Sequence, residues 1–158
     1  MKNRVHALSG ILAIILVTSF MATTVITEIV GEKGIILTAK TAILFALVVL
    51  IPSIIIASGT GRSLAAGRTS PLLNTKKLRA ALIAVVGIVV LVPCAVTLRI
   101  LAAADDFGTT FVVVQAIELA GGIVNLTLLV FNARAGRLLT AARRRRRRNA
   151  RAGTATPA

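Results

Sequence analysis

The chain has 158 residues, of which 56 % are hydrophobic and only 15 % charged, with a mean hydropathy of +0.91. A soluble domain carries about a quarter charged residues, so this composition excludes an ordinary soluble globule and a disordered chain. One cysteine, Cys94, excludes a disulfide scaffold. What remains is an integral membrane protein with a formal net charge of +14.

Crossing about 30 Å of hydrocarbon takes about 20 mostly apolar residues in helical form. Four stretches meet that length, at about 8–30, 35–57, 78–102 and 110–131. All four hold β-branched residues, but lipid offers the backbone no partner, so each stretch must satisfy its own amides as a helix. The runs are too long and continuous for the alternating strands of a barrel. The first run begins with Lys2 and Arg4, as a signal peptide would. However, cleavage after Ala22 would place Phe20 where a small residue is needed, and the run continues to Val30, which points to a retained helix.

The connections differ in length. Gly31-Glu32-Lys33-Gly34 is a tight turn, so the first two helices form an antiparallel hairpin. Ala103 to Gly108 is also short, with Asp105 and Asp106 placed to cap the fourth helix. A longer basic loop is expected over about 58–77. Basic residues flanking the spans set orientation. Sixteen of the nineteen lie in the N-terminus, the middle loop with Arg79, and the tail, while Lys33, Lys40 and Arg99 belong to the other side. Both termini are therefore expected in the cytoplasm. The fold expected is an all-α, four-transmembrane-helix antiparallel bundle over residues 1–134, N-in and C-in. A basic, disordered cytoplasmic tail is expected over 135–158, since a block of like charge repels itself. No Trp or Tyr is present, so Lys and Arg must anchor the interfaces.

Ionisable groups within a bilayer are costly and are functional candidates by default. Glu118 is the deepest, about 12 Å into the last span from Thr110 at 1.5 Å per residue. Gln115, Glu118, Gly122 and Asn125 follow one another at three, four and three residues and share a helix face, with Gly121 and Asn132 at its edge. Such a stripe either holds a bundle together or handles a proton, cation or cofactor. The first helix carries a matching stripe of His6, Gly10, Ala13, Val17, Phe20, Thr24 and Glu28, with His6 at the cytoplasmic edge and Glu28 at the outer end within reach of water. Ala80, Ala84, Gly87, Cys94 and Thr97 line one face of the third helix, and Thr38, Thr41, Ala42 and Phe45 one face of the second. On those faces Lys40 and Arg99 point elsewhere, so neither is expected to reach Glu118, which would then be held as the neutral acid. Pro52 and Pro93 each remove a backbone hydrogen bond and can kink their helices.

Other patterns carry no chemistry. Gly59-Thr60-Gly61-Arg62 lacks the preceding strand and the lysine-serine ending of a phosphate loop. Asn125-Leu126-Thr127 matches a glycosylation triplet but lies within the bilayer. One histidine and one cysteine make no metal site, and no catalytic triad can be assembled, so neither an enzyme activity nor a cofactor is expected.

Further residues carry a resemblance. His6-Ala7-Leu8-Ser9-Gly10, Glu28, Ile51-Pro52 leading to Gly59 and Gly67-Arg68, and Val114-Gln115-Ala116-Ile117-Glu118-Leu119-Ala120-Gly121 followed by Asn125 and Asn132 stand together. The first 140 residues or so resemble a group of small, uncharacterised bacterial four-span inner-membrane proteins. The chain departs from that pattern at Val86, where asparagine is expected, and at Ala135, where aspartate is expected. The resemblance implies four spans and a bacterial inner membrane, and no activity.

Three functions compete at this point. The first is a non-enzymatic component that packs against itself as a homo-oligomer or within a larger membrane complex. The second is a small proton- or cation-coupled transporter, an oligomer working around Glu118. The third is a haem- or quinone-associated respiratory protein, in which two copies of His6 would have to meet to ligate haem. The tail run Arg143, Arg144, Arg145, Arg146, Arg147 and Arg148 is expected to bind anionic lipid headgroups, at about 1 kcal/mol per residue near the surface, with nucleic acid a lesser partner.

Overall fold

A computed structural model describes residues 2–65 and 71–153; Gly67 and Arg68 of the expected basic loop and the last five residues of the tail lie outside them. Among the described residues the chain is wholly helical apart from two short turns: α1 (Lys2–Val30), α2 (Lys33–Ala65), α3 (Pro71–Val85), a π-helical stretch Val86–Leu91, α4 (Val92–Ala103) and α5 (Thr109–Gly153). α3, the π stretch and α4 form one continuous third span. Four segments are long and apolar enough to cross a membrane, Arg4–Val30, Lys33–Gly61, Asn74–Ala103 and Thr109–Leu138. They coincide with the four expected runs and extend each of them.

The helices pack as a four-membered ring. α1 lies against α2 and α5, and the third span lies against α2 and α5 on the other side. The backbones of the diagonal pairs, α1 with the third span and α2 with α5, do not approach one another. Large apolar residues such as Leu8, Ile29, Phe45, Val48, Val89 and Val112 face outward. An apolar exterior around a partly polar interior is the arrangement a bilayer demands.

At one end the α1–α2 and α4–α5 turns are tied together. Gly31 takes a positive φ of 71°, open to a residue without Cβ. Lys33 Nζ pairs with Asp105 Oδ2 at 2.8 Å and lies over the Phe107 ring, which packs at a tilt on Phe111. Asp106 Oδ1 accepts from the Gly108 amide at 3.1 Å. The two aspartates thus shape the turn and neither reaches the first amides of α5, as their expected capping role would require. Asp105 itself has φ 57°, a left-handed conformation Asp tolerates better than most residues.

At the opposite end, Arg79 of α3 stacks on Phe131 of α5, and a Cβ at Gly136 would stand 3.2 Å from Lys76 Nζ. Among the described residues the basic middle segment is helix, not the loop expected over 58–77. α5 likewise runs on through the arginines to Gly153, where a disordered tail was expected. The span has already nucleated the helix, and adding Ala, Leu and Arg to an existing helix costs little.

Pro93 lies in the first turn of α4, where its missing N–H is tolerated. The turn before it is wound as a π-helix, and the Val92 amide reaches back five residues to the Gly87 carbonyl. Pro93 is thus absorbed by one wider turn. Pro52 lies within α2, facing outward.

Candidate functional site

The interior face of α2 is set by Ile36, Lys40, Ile43, Leu47 and Leu50, all buried. Their spacing of four, three, four and three is a heptad seam, and Lys40 sits within it. This corrects the face read from the sequence. Thr38, Ala42 and Phe45 are exposed and Thr41 is half-buried. The two threonine hydroxyls donate to the Gly34 and Leu37 carbonyls of their own helix at 2.8 Å, so they need no interior partner.

With α2 turned this way, Lys40 points across the ring. Its side chain is 1 % exposed, and Nζ meets Glu118 Oε2 of α5 at 2.8 Å. The expectation that neither Lys40 nor Arg99 would reach Glu118 is overturned for Lys40, and with it the premise of an unpaired, neutral Glu118. The bond bridges the α2–α5 diagonal, whose backbones stay apart, and the long lysine stem makes that reach. Gln115 Nε2 donates to the same Glu118 oxygen at 3.1 Å, and Lys40 Nζ donates to Thr24 Oγ1 of α1 at 3.4 Å.

Two more groups adjoin the pair. Glu28 lies one turn beyond Thr24 on α1. Its Oε1 is buried and has no hydrogen-bond partner, while the residue as a whole is half-buried near the outer end of α1. Cys94 of α4 is buried and free. Two carboxyl groups and one ammonium thus lie in this part of the interior.

The remaining stripe residues of α5 point inward as read from the sequence. Gln115 and Asn125 are buried. A Cβ at Gly121 would stand 2.9 Å from Leu91 Cδ2, and one at Gly122 would stand 3.3 Å from Met21, so these glycines admit the third span and α1 closely. Asn125 approaches Gly87 in the π stretch, where a Cβ would stand 3.7 Å from its Nδ2. Four buried side-chain atoms among the described residues lack a hydrogen-bond partner: Glu28 Oε1, Gln115 Oε1, Asn125 Oδ1 and Asn132 Oδ1. All are oxygens, and three lie on α5, at about 9, 24 and 35 Å from its start. Buried acceptors of this kind are uncommon in native structures.

Beside this row is a cavity of about 80 Å³. Val17 and Met21 of α1, Leu47, Leu50 and Ile54 of α2, Ile83, Leu91 and Ala95 of the third span and Leu119 of α5 contribute to its apolar walls, and Thr24, Glu118 and Asn125 to its polar groups.

His6 stands apart from the cluster, at the other end of the bundle. Its Nδ1 bonds the Ala57 carbonyl at 2.9 Å, and its ring lies where a Cβ on Gly61 would be 3.2 Å from Cε1. It pins the start of α1 to the end of α2. Arg143 to Arg148 lie on the α5 extension, remote from the cluster in sequence and along the helix, and the Arg145 side chain is exposed. Comparison with protein-family models, curated proteins and solved structures finds no match.

Proposed function

We propose that this chain is a multi-pass protein of a bacterial inner (plasma) membrane, non-enzymatic, with both termini in the cytoplasm, that takes up and passes protons or small monovalent cations at the Lys40–Glu118 pair. The observation that carries the reading is the buried Lys40–Glu118 ion pair, set among further unpartnered polar oxygens of the interior. Glu118 holds Lys40 at 2.8 Å, and Glu28 adds a second carboxyl group with a buried, unpartnered oxygen. An uncompensated charge in lipid is costly, so a proton or cation that takes the place of Lys40 at Glu118 must leave the ammonium a second carboxyl partner. A proton or cation arriving at Glu118 Oε2 displaces the Lys40 ammonium, and Glu28, with an unpaired oxygen, is the alternative partner for it. Asn125 and Asn132 continue the row of acceptors toward the arginine-rich end. Orientation is supported by the sixteen basic residues on one side of the spans.

Reconstitution in liposomes with a trapped pH dye tests this reading. Wild-type protein is expected to dissipate an imposed proton gradient faster than protein-free vesicles, and Glu118→Gln to lose at least nine-tenths of that excess. A wild-type rate equal to that of empty vesicles would overturn it. The second reading, a packing component of a homo-oligomer or larger complex, is favoured by the close approaches at Gly121 and Gly122, and it predicts no proton flux and a co-purifying partner.

A further inference from the structure

We infer that the intramembrane cavity binds a membrane-soluble hydroxyl compound, an alkylphenol or long-chain alcohol, whose O–H donates to Asn125 Oδ1 and whose apolar tail leaves sideways into the bilayer between α2 and the third span. Three observations converge on this occupant. Asn125 is 1 % exposed, lines the cavity, and its Oδ1 has no partner, so the site lacks a donor. The walls are otherwise almost wholly aliphatic: Leu47, Leu50, Ile54, Ile83, Leu91 and Leu119 among them. A site of this kind favours an apolar body with one or few polar atoms. The rim includes Ile55 of α2 and Ile88 of the π stretch, which are 60 % and 54 % exposed on the lipid side.

The charge state of the site selects the donor. The Glu118 carboxylate at the cavity edge is already held by Lys40 at 2.8 Å. A neutral hydroxyl needs only the free amide oxygen of Asn125 and leaves that pair in place. The π stretch contributes by shape: Gly87 has no side chain to fill the space beside Asn125.

The probe is 4-hexylphenol, compared with its methyl ether, which has the same body and no donor. Both are titrated against full-length protein in detergent, with thermal unfolding as readout. Without Trp or Tyr in the chain, fluorescence of the phenol itself gives a second readout. Wild-type protein is expected to bind the phenol about fivefold more tightly than the ether, the value of one neutral hydrogen bond, and Asn125→Leu to abolish that preference. Equal binding of phenol and ether by wild-type protein would overturn the inference, as would a preference that survives Asn125→Leu. Should Asn125→Leu fail to fold, a diazirine-bearing hexylphenol photolabels the wild type. Labels on the lining residues around Ile55, Ile88 and Leu119 support the site, and labels confined to the outer surface overturn it.

Discussion

Replacing Lys40 by methionine keeps most of the side-chain volume and removes the ammonium. Glu118 would then keep only the neutral Gln115 amide at 3.1 Å. Breaking a buried ion pair from one side costs about 3–5 kcal/mol, because the other charge is left without compensation. A neutral interhelical hydrogen bond in a membrane bundle is worth about 0.6 kcal/mol on average. The 1 % exposure of Lys40 and the 14 % of Glu118 place this pair in the first regime. A loss at the lower end of that range, about 3 kcal/mol, is expected for Lys40→Met, and a similar loss for Glu118→Gln, which leaves Lys40 with Thr24 alone at 3.4 Å. The double variant removes both charges and is expected to recover most of either loss. Reversible unfolding in bicelles gives the cycle directly. A coupling below about 1 kcal/mol would refute the claim that the two groups are an ionised buried pair.

Four other outcomes follow from the structure. Cys94, buried and free, is expected to resist a membrane-permeant maleimide in the folded protein and to react on denaturation; rapid labelling of the native state would contradict its position. At Gly121 the obstructing atom is the tip of Leu91, so Gly121→Ala is expected to cost under about 1 kcal/mol and Gly121→Leu about 1–3 kcal/mol through overpacking, read by the same unfolding assay. Asp105→Asn breaks an exposed pair with Lys33 and is expected to change stability by no more than about 1 kcal/mol. Deleting residues 143–151 is expected to reduce the anionic lipid that co-purifies with the protein, in a salt-sensitive way, while membrane insertion is unchanged; unchanged lipid content would remove the tail from headgroup binding.

The spans were legible because burying a helical backbone in lipid leaves a signal about 20 residues long, which hydropathy alone reveals. The stripe on α5 was legible too, since Gln115, Glu118 and Asn125 are polar among apolar neighbours. The partner of Glu118 was missed for a physical reason. On α2 the small and polar Thr38, Thr41 and Ala42 suggested the interior, but threonine hydroxyls satisfied by their own helix carry no information about facing. The heptad of Ile36, Ile43, Leu47 and Leu50 was the better guide, and it places Lys40 inside. Angles on single helices also say nothing of a side chain long enough to cross a diagonal. Pro93 was visible as an interruption, whereas its absorption by a π turn depends on packing against Asn125 and Gly121 of another helix. In the tail, charge repulsion alone does not foretell that α5 runs on through the arginines to Gly153, because the preceding span supplies the helix they extend.

The most direct measurement is a solid-state NMR dipolar distance between a labelled Lys40 Nζ and the Glu118 carboxyl carbon in lipid bilayers. The strong dephasing expected of an Nζ–Oε2 contact of 2.8 Å is the predicted result. Dephasing no greater than that of unpaired labels would contradict the pairing across the bundle, and with it the proposed ion-handling centre.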